Sequence, residues 1–333
     1  MIRKEWLQQA DEKAIEPELP IIDAHHHIWS EPPTEMWEPY HTADFIDDIA
    51  QSGHNIVGTV YTDSHSNYRK SGPDHLRVVG EVEFAGRMGD EHAGQEGGFG
   101  VCAAVVSHAD LMLGAAVGEV LDAQIAASPR FRGIRHMTAI DADLPPIYGA
   151  TEPGIMMRPQ FREGFAELVR RNLSFDAWMF HPQLPELIDL ARAFPQANIV
   201  LDHTGGPIGV GRFAGKRDEG FSGWKRDMAE LATCANVSVK LGGLNMTYTA
   251  MDAIELPRPH TSARIAELQR DHMLTAIDLF GPERCMFESN FPVDKLSTPY
   301  GVLWNAFKIM TQDMSAPDRK QLFSGTARRV YKL

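Results

Sequence analysis

Residues 21–30 read IIDAHHHIWS: two isoleucines, an acid and an alanine, then three consecutive histidines closed by Ile28 and Trp29. A purification tag would lie in a flexible Gly/Ser flank, whereas this triplet sits inside an apolar run. The composition predicts a strand over residues 21–27. Side chains alternate along a strand, so Asp23, His25 and His27 should share one face, and Ile22, Ala24, His26 and Ile28 the other. The second set suits packing under helices. The first is polar, and inside a barrel, where Val, Ile and Leu dominate, it calls for a special reason. Imidazoles two residues apart on a strand have Cα atoms about 6–7 Å apart, and can converge on one divalent ion at roughly 2.0–2.1 Å per nitrogen. A hydrogen-bonded core histidine is the competing reading.

Downstream, short β-branched runs alternate with amphipathic ones. Further strands are predicted at 56–62, 100–106, 131–136, 173–180, 198–202, 236–241 and 284–289. Helical patterns run over 42–51, 111–127, 159–171, 184–193, 224–234 and 262–279. Eight strands with crossover helices predict an α/β fold, a single-domain (β/α)8 TIM barrel over residues 21–333, preceded by an N-terminal extension at 1–20. An open doubly wound sheet would require a glycine-rich phosphate loop after the first strand, and HHHIWSEPP is nothing like one. Long loops after strands 2, 4, 6 and 7 predict a partly lidded pocket at the C-terminal face. The Gly-rich segment 85–98 reads as surface loop.

The 333 residues carry a formal net charge of −13. That balance speaks against nucleic acid or an anionic membrane as the main partner. Three scattered cysteines without CxxC spacing fit reduced thiols. Residues 1–20 lack the apolar stretch of a signal peptide, and no run is long enough to span a membrane. A cytoplasmic protein with a small-molecule substrate is expected; a homo-oligomer stays open.

Other strand ends add to the histidine pair. His181 follows FDAWMF and His203 ends NIVLD, so both should face the mouth of strands 5 and 6. His41, His54, His65, His75, His92, His108, His260 and His272 lie in loops or helices, where a surface role is preferred. Arg135 and His136 end strand 4, Lys240 lies on strand 7, and Tyr61 and Asp63 end strand 2. An inward Arg and Lys in an acidic chain point to a carboxylate on the substrate, with Arg binding it in bidentate fashion. The bland alternative is that these cations neutralise Asp23 or Glu288.

Taken together, DAHHH, GIRH, FHPQLPEL, VLDHTGGP, VKLGGL and FGPERCMFESNFP resemble the amidohydrolase superfamily. The likeness is greatest to the amidohydrolase-related branch of sugar-acid and pyrone-dicarboxylate lactonases, with aminocarboxymuconate-semialdehyde-type decarboxylases as cousins. It runs from strand 1 to the closing ARRVYKL. It implies the barrel and one Zn²⁺ or similar ion such as Mn²⁺, held by His25, His27, His181 and the position of Asn290. The usual strand-8 ending, GSDWP, is here ESNFP. An amide cannot take a proton from water, so Asn290 is left to orient substrate or to bind a metal weakly. Glu288, two residues earlier, should share its face and is preferred over Asp294 as replacement base or ligand. Metal-free operation, with the histidines polarising the carbonyl, also follows from the branch.

The expected function is a hydrolase opening a lactone or related cyclic ester of a small, carboxylated molecule. Glu288 would activate water and then protonate the leaving oxygen, and His203 would hold the carbonyl or the hydroxide. The alternatives are a metal-dependent non-oxidative decarboxylase and a barrel that binds a ligand without turnover.

Overall fold

Eight parallel strands follow one another around a single sheet in chain order: β1 (Ile21–His26), β2 (Ile56–Thr62), β3 (Gly100–His108), β4 (Phe131–Arg135), β5 (Ser174–Ala177), β6 (Asn198–Leu201), β7 (Val237–Leu241) and β8 (Cys285–Phe287). The computed structural model describes residues 2–31, 37–93, 100–145 and 152–333. The sheet closes where β8 runs on beside β1, through a parallel bridge between His26 and Phe291 and backbone bonds Asn290 N to His25 O (2.9 Å) and His27 N to Phe291 O (2.7 Å).

One helix follows each strand: α1 (Thr42–Ser52), α2 (Val79–Glu91), α3 (Val117–Ala127), α4 (Pro159–Arg170), α5 (Leu184–Ala193), α6 (Arg217–Ala232), α7 (Ser262–Phe280) and α8 (Tyr300–Met310). The fold is therefore a single-domain (β/α)8 TIM barrel. Local chemistry sets the helix ends. Asp44 accepts a bond from the His41 backbone at the start of α1, and Gly53 ends it with φ 68°. Pro159 opens α4, where its missing N–H costs nothing.

Several elements differ from the sequence reading: α8 has no counterpart among the predicted helices, and α6 begins at Arg217, ahead of its predicted start at 224. Helix α2 takes in residues 85–91, which composition alone assigned to a loop; residues 94–98 of that segment lie outside the described residues. The predicted helix 111–127 is split, because Gly114 at φ 58° separates a 3-10 turn from α3. Among the described residues no helix is long and apolar enough to cross a membrane.

The barrel has an apolar floor. Ile22, Ala24, Val60, Ala104, Val106, Val200 and Met286 pack with Ala327, Val330 and Tyr331 of the C-terminal segment. The opposite strand faces pack outward on helix residues such as Phe45, Phe165, Trp224 and Phe307. Every polar inward residue therefore sits above a sealed base.

Candidate active site

A β-bulge positions the histidines. Asp23 pairs with Thr59 but His26 with Tyr61, so β1 spends three residues where β2 spends two. Ala24 and Ile22 consequently face the barrel interior. Asp23 faces out and binds Ser289 and the Tyr300 hydroxyl of α8. This corrects strict alternation, which put Asp23 with His25 and sent Ala24 outward. After the bulge His25 and His27 point in. His26 points out, stacks on Phe45 of α1 at 4.2 Å and bonds Thr59 Oγ1.

One half of the mouth is sealed. Inward positions of β5, β6, β7 and the end of β8 supply Asp176, Asp202, Lys240 and Glu288, all fully buried. Lys240 Nζ lies 2.7 Å from Asp176 and 3.0 Å from Asp202, and Asp176 also accepts the Tyr331 hydroxyl at 2.6 Å. Burial works against the ammonium, but Asp176, Asp202 and Glu288 outweigh it and raise its pKa. Glu288 Oε1 accepts both the backbone N–H (3.0 Å) and Nδ1 (2.8 Å) of His203, and Oε2 stands 3.0 Å from His25 Nδ1. Burial opposes its ionisation; His203 and His25 prevail and hold its pKa at about 2.

The local backbone is built for this grip. His203 and Thr204 adopt φ 53° and 54°, a left-handed turn rare for side-chain-bearing residues, and Glu288 and the Trp224 indole bond the turn from either side. The VKLGGL glycines make room. A Cβ on Gly242 would lie 2.4 Å from Glu288 Cγ, and one on Gly243 would lie 2.4 Å from His203 Nδ1.

The other half opens to solvent. Asp63, beyond β2, lies against Arg135 of β4: the guanidinium donates to the Asp63 carbonyl, and Nε stands 3.6 Å from Oδ2. Arg135 Nη1 also reaches to 3.4 Å of His25 Nε2, joining the two halves. His27, Trp29, Ser64, His65, Arg135, Met137 and Val293 line a narrow cleft of about 40 Å³ over this junction.

Three nominated residues, His181, Tyr61 and His136, stand away from the mouth, and two more, Asn290 and Asp294, have side chains bonded to each other. His181 accepts a bond from Ile208 N and packs on Phe213, in a separate cavity with His272. The turn after β5 carries it outward, so the ligand set HxH, His181 and strand-8 residue is not assembled. Tyr61 faces the helix layer and donates to Glu81 of α2 (3.0 Å). His136, one residue past inward Arg135, faces out against Phe161 and accepts from Leu111 N. Asn290 donates its amide to Asp294 (2.8 Å), which also receives Asn245. Burial raises the Asp294 pKa to about 6, against those bonds.

Asp202 and Asp176 were passed over, although NIVLD and LSFDAWMF placed them two residues beyond inward positions. His65 and His108, assigned to the surface, belong to the open half. His108 ends β3, which runs two residues past its predicted end and donates Nδ1–H to the Arg135 carbonyl.

His27 Nδ1 meets the Thr62 carbonyl at 2.8 Å and must carry its proton there, leaving a bare Nε2. Burial holds both β1 histidines neutral, with Lys240 adding to the effect at His25 and Arg135 at His27. If His25 donates from Nδ1 to Glu288, two bare Nε2 lone pairs face each other 3.2 Å apart. A cation satisfies that arrangement, so the pair fits a divalent metal; Arg135 already offers charge to the same place. A second donor set, His25, Asp202 and His203, brings ligand atoms within 4.8 Å, but Lys240, 3.2 Å from His25 Nδ1, opposes a metal on that side.

A (β/α)8 barrel thus gathers a histidine pair from the end of β1, a histidine from the end of β6 and a carboxylate from the end of β8 at its C-terminal mouth. The chain belongs to the amidohydrolase family, whose model, described as Amidohydrolase, matches residues 22–333. It is 31% identical over 334 residues to the uncharacterized protein y4mH of Sinorhizobium fredii, covering 95% of this chain and 99% of that one. It is 28% identical over 330 residues to an L-fucono-1,5-lactonase of Burkholderia ambifaria, covering 94% and 95%. A zinc-bound amidohydrolase structure from Burkholderia multivorans superposes with a TM-score of 0.72 at 23% identity, covering 94% and 99%.

Proposed function

We propose that the protein is a hydrolase that opens a lactone or related cyclic ester of a small, carboxylate-bearing molecule. The observation that carries this reading is the Glu288–His203 pair: a buried carboxylate gripping one edge of an imidazole at the barrel mouth. A carboxylate held at about pKa 2 is a poor base for water. Glu288 therefore acts as the group that fixes His203 with its proton on Nδ1, and His203 Nε2 takes the proton from water. The role first given to Glu288 passes to its neighbour for that reason. This is the base-and-orienting-carboxylate logic of hydrolytic triads.

Arg135 supplies positive charge on the cleft side, where the carbonyl oxygen turns anionic and where a substrate carboxylate is drawn. His25 and His27 would hold a divalent ion, zinc first and manganese second, which when bound polarises the carbonyl and acidifies water. Without it, Arg135 remains as the charge beside the pair. The lactonase relative and the zinc-bound relative support this reading.

A panel of γ- and δ-lactones of sugar acids and dicarboxylates, run with metal analysis, tests it. Ring opening that follows the hydroxy acid formed supports the proposal. CO₂ release from aromatic or enoic acids would replace it with decarboxylation, and inertness throughout with a ligand-binding barrel.

A further inference from the structure

The Glu288–His203 pair accounts for removing a proton from water; the departing ring oxygen needs a proton delivered to it as well. Opening an ester of an alkyl alcohol expels an alkoxide, which needs a proton as the C–O bond breaks. The open half of the mouth carries a second carboxylate–imidazole pair that no step above uses. Asp63 clamps His65 twice: Oδ1 accepts the His65 backbone N–H at 3.0 Å, and Oδ2 stands 3.1 Å from Nδ1. His65 is held in the left-handed region at φ 56°, a conformation costly for a histidine, and the clamp keeps it there. Its ring is 30% exposed while Asp63 is sealed beneath it, so the carboxylate is buried and the imidazole faces the cleft.

We propose that His65, positioned by Asp63, is the proton donor to the leaving oxygen, the acid partner of the His203 base. This rests on the hydrolase reading. The balance is complete. Water loses a proton to His203 and its oxygen bonds the carbonyl carbon; the tetrahedral adduct collapses, breaking the bond to the ring oxygen. His65 gives its proton to that oxygen. The product is a hydroxy acid whose carboxyl then loses the remaining water proton to solvent; His203 gives up its proton and His65 regains one, which restores the starting state.

The surroundings fit a histidine held cationic. Asp63 and Glu81 favour the charge; Arg135 and burial oppose it. Burial is the largest of these, yet the net effect raises the His65 pKa, with Asp63 the chief cause. A second metal on Asp63, His65 and His108, whose ligand atoms lie within 4.8 Å, would compete with the Asp63–His65 contact, in which Oδ2 already stands 3.1 Å from Nδ1.

The test compares leaving groups. In His65→Gln, kcat for an alkyl lactone should fall by about 10²–10⁴-fold, while an aryl acetate, whose phenolate needs no proton, loses less than about fivefold. In Asp63→Asn the alkaline limb of the lactone pH–rate profile should move to lower pH. Equal losses on both substrates, or none, overturn the proposal. If the wild-type enzyme opens no lactone, the hydrolase reading fails separately, and imidazole NMR titration decides the pair. A His65 pKa above the ordinary 6.5 that drops in Asp63→Asn sustains a proton-holding dyad; one that does not move overturns it.

Discussion

The two halves of the barrel mouth solve the same problem in opposite surroundings. Each sets a carboxylate behind an imidazole. On the β6–β8 side Glu288, Asp202, Asp176 and Lys240 are wholly buried, and every charge is answered by another within the barrel. On the β2–β4 side Asp63 is buried but His65 reaches solvent. The sealed half can hold a carboxylate far below its ordinary pKa and fix one tautomer. The open half can exchange protons with water. Base and acid duties divide along that line.

The largest expected effect breaks the sealed half at its centre. Glu288→Gln keeps shape but turns an N–H₂ toward His25 or His203, so the His203 tautomer is no longer fixed. By analogy with amide replacement of an orienting carboxylate, kcat should fall by about 10³–10⁴-fold with KM little changed. Steady-state kinetics on a correctly folded variant, checked by circular dichroism, measures it. A loss under tenfold would remove Glu288 from the mechanism and leave the open half to do the work.

Lys240→Met tests whether the sealed half is held by charge. Removing the ammonium leaves Asp176 and Asp202 buried with no cation between them, a change that costs about 3–5 kcal/mol when one partner of a buried pair is lost. Urea denaturation should show a lower midpoint with an unchanged slope. Lys240→Met with Asp176→Asn should recover part of the loss, because one carboxylate then needs no counter-charge. Stability within about 1 kcal/mol of wild type would mean packing against Tyr331, not pairing, holds this layer.

Much of this contrast could be read before any coordinates. The period-two runs and the helices between them define the barrel, and HxH with Lys240 and Glu288 marks the sealed half. Face assignments failed where the strand was irregular. Alternation counted from Ile21 misplaces Asp23 and Ala24, since nothing in IIDAHHH announces the bulge that Asp23↔Thr59 and His26↔Tyr61 pairing reveals. Asp202 was hidden beside the more conspicuous His203, and inward parity from Val200 was the available signal. His65 was lost because loops carry no periodicity, and His108 because β3 runs two residues past its predicted end. Their position near strand ends, in YTDSH and VVSHAD, is the cue, and it becomes usable only when the strand end is known to two residues.

The smallest expected effect concerns His181, and it separates this mouth from the ligand set the family resemblance implies. His181 leaves β5 through the turn after Phe180, and its Nδ1 accepts the Ile208 N–H at 3.1 Å. Burial, the chief cause, lowers its pKa to about 4, so it is neutral at physiological pH. Its ring rests on Phe213 in a cavity shared with His272, on the α6–α7 side of the barrel. A metal on the His25–His27 Nε2 pair has no use for it unless the turn carrying Pro182 and the Gly205–Gly206 loop both rearrange. Gly206 opposes that movement, since its carbonyl accepts the His181 N–H at 3.0 Å. His181→Ala should therefore change kcat by less than about threefold, leave metal stoichiometry as it is, and cost about 1 kcal/mol through the lost bond to Ile208. His27→Ala, assayed alongside, should abolish metal uptake. Loss of metal in the His181 variant would show that the loop closes over the ion in solution and that the two cavities are one.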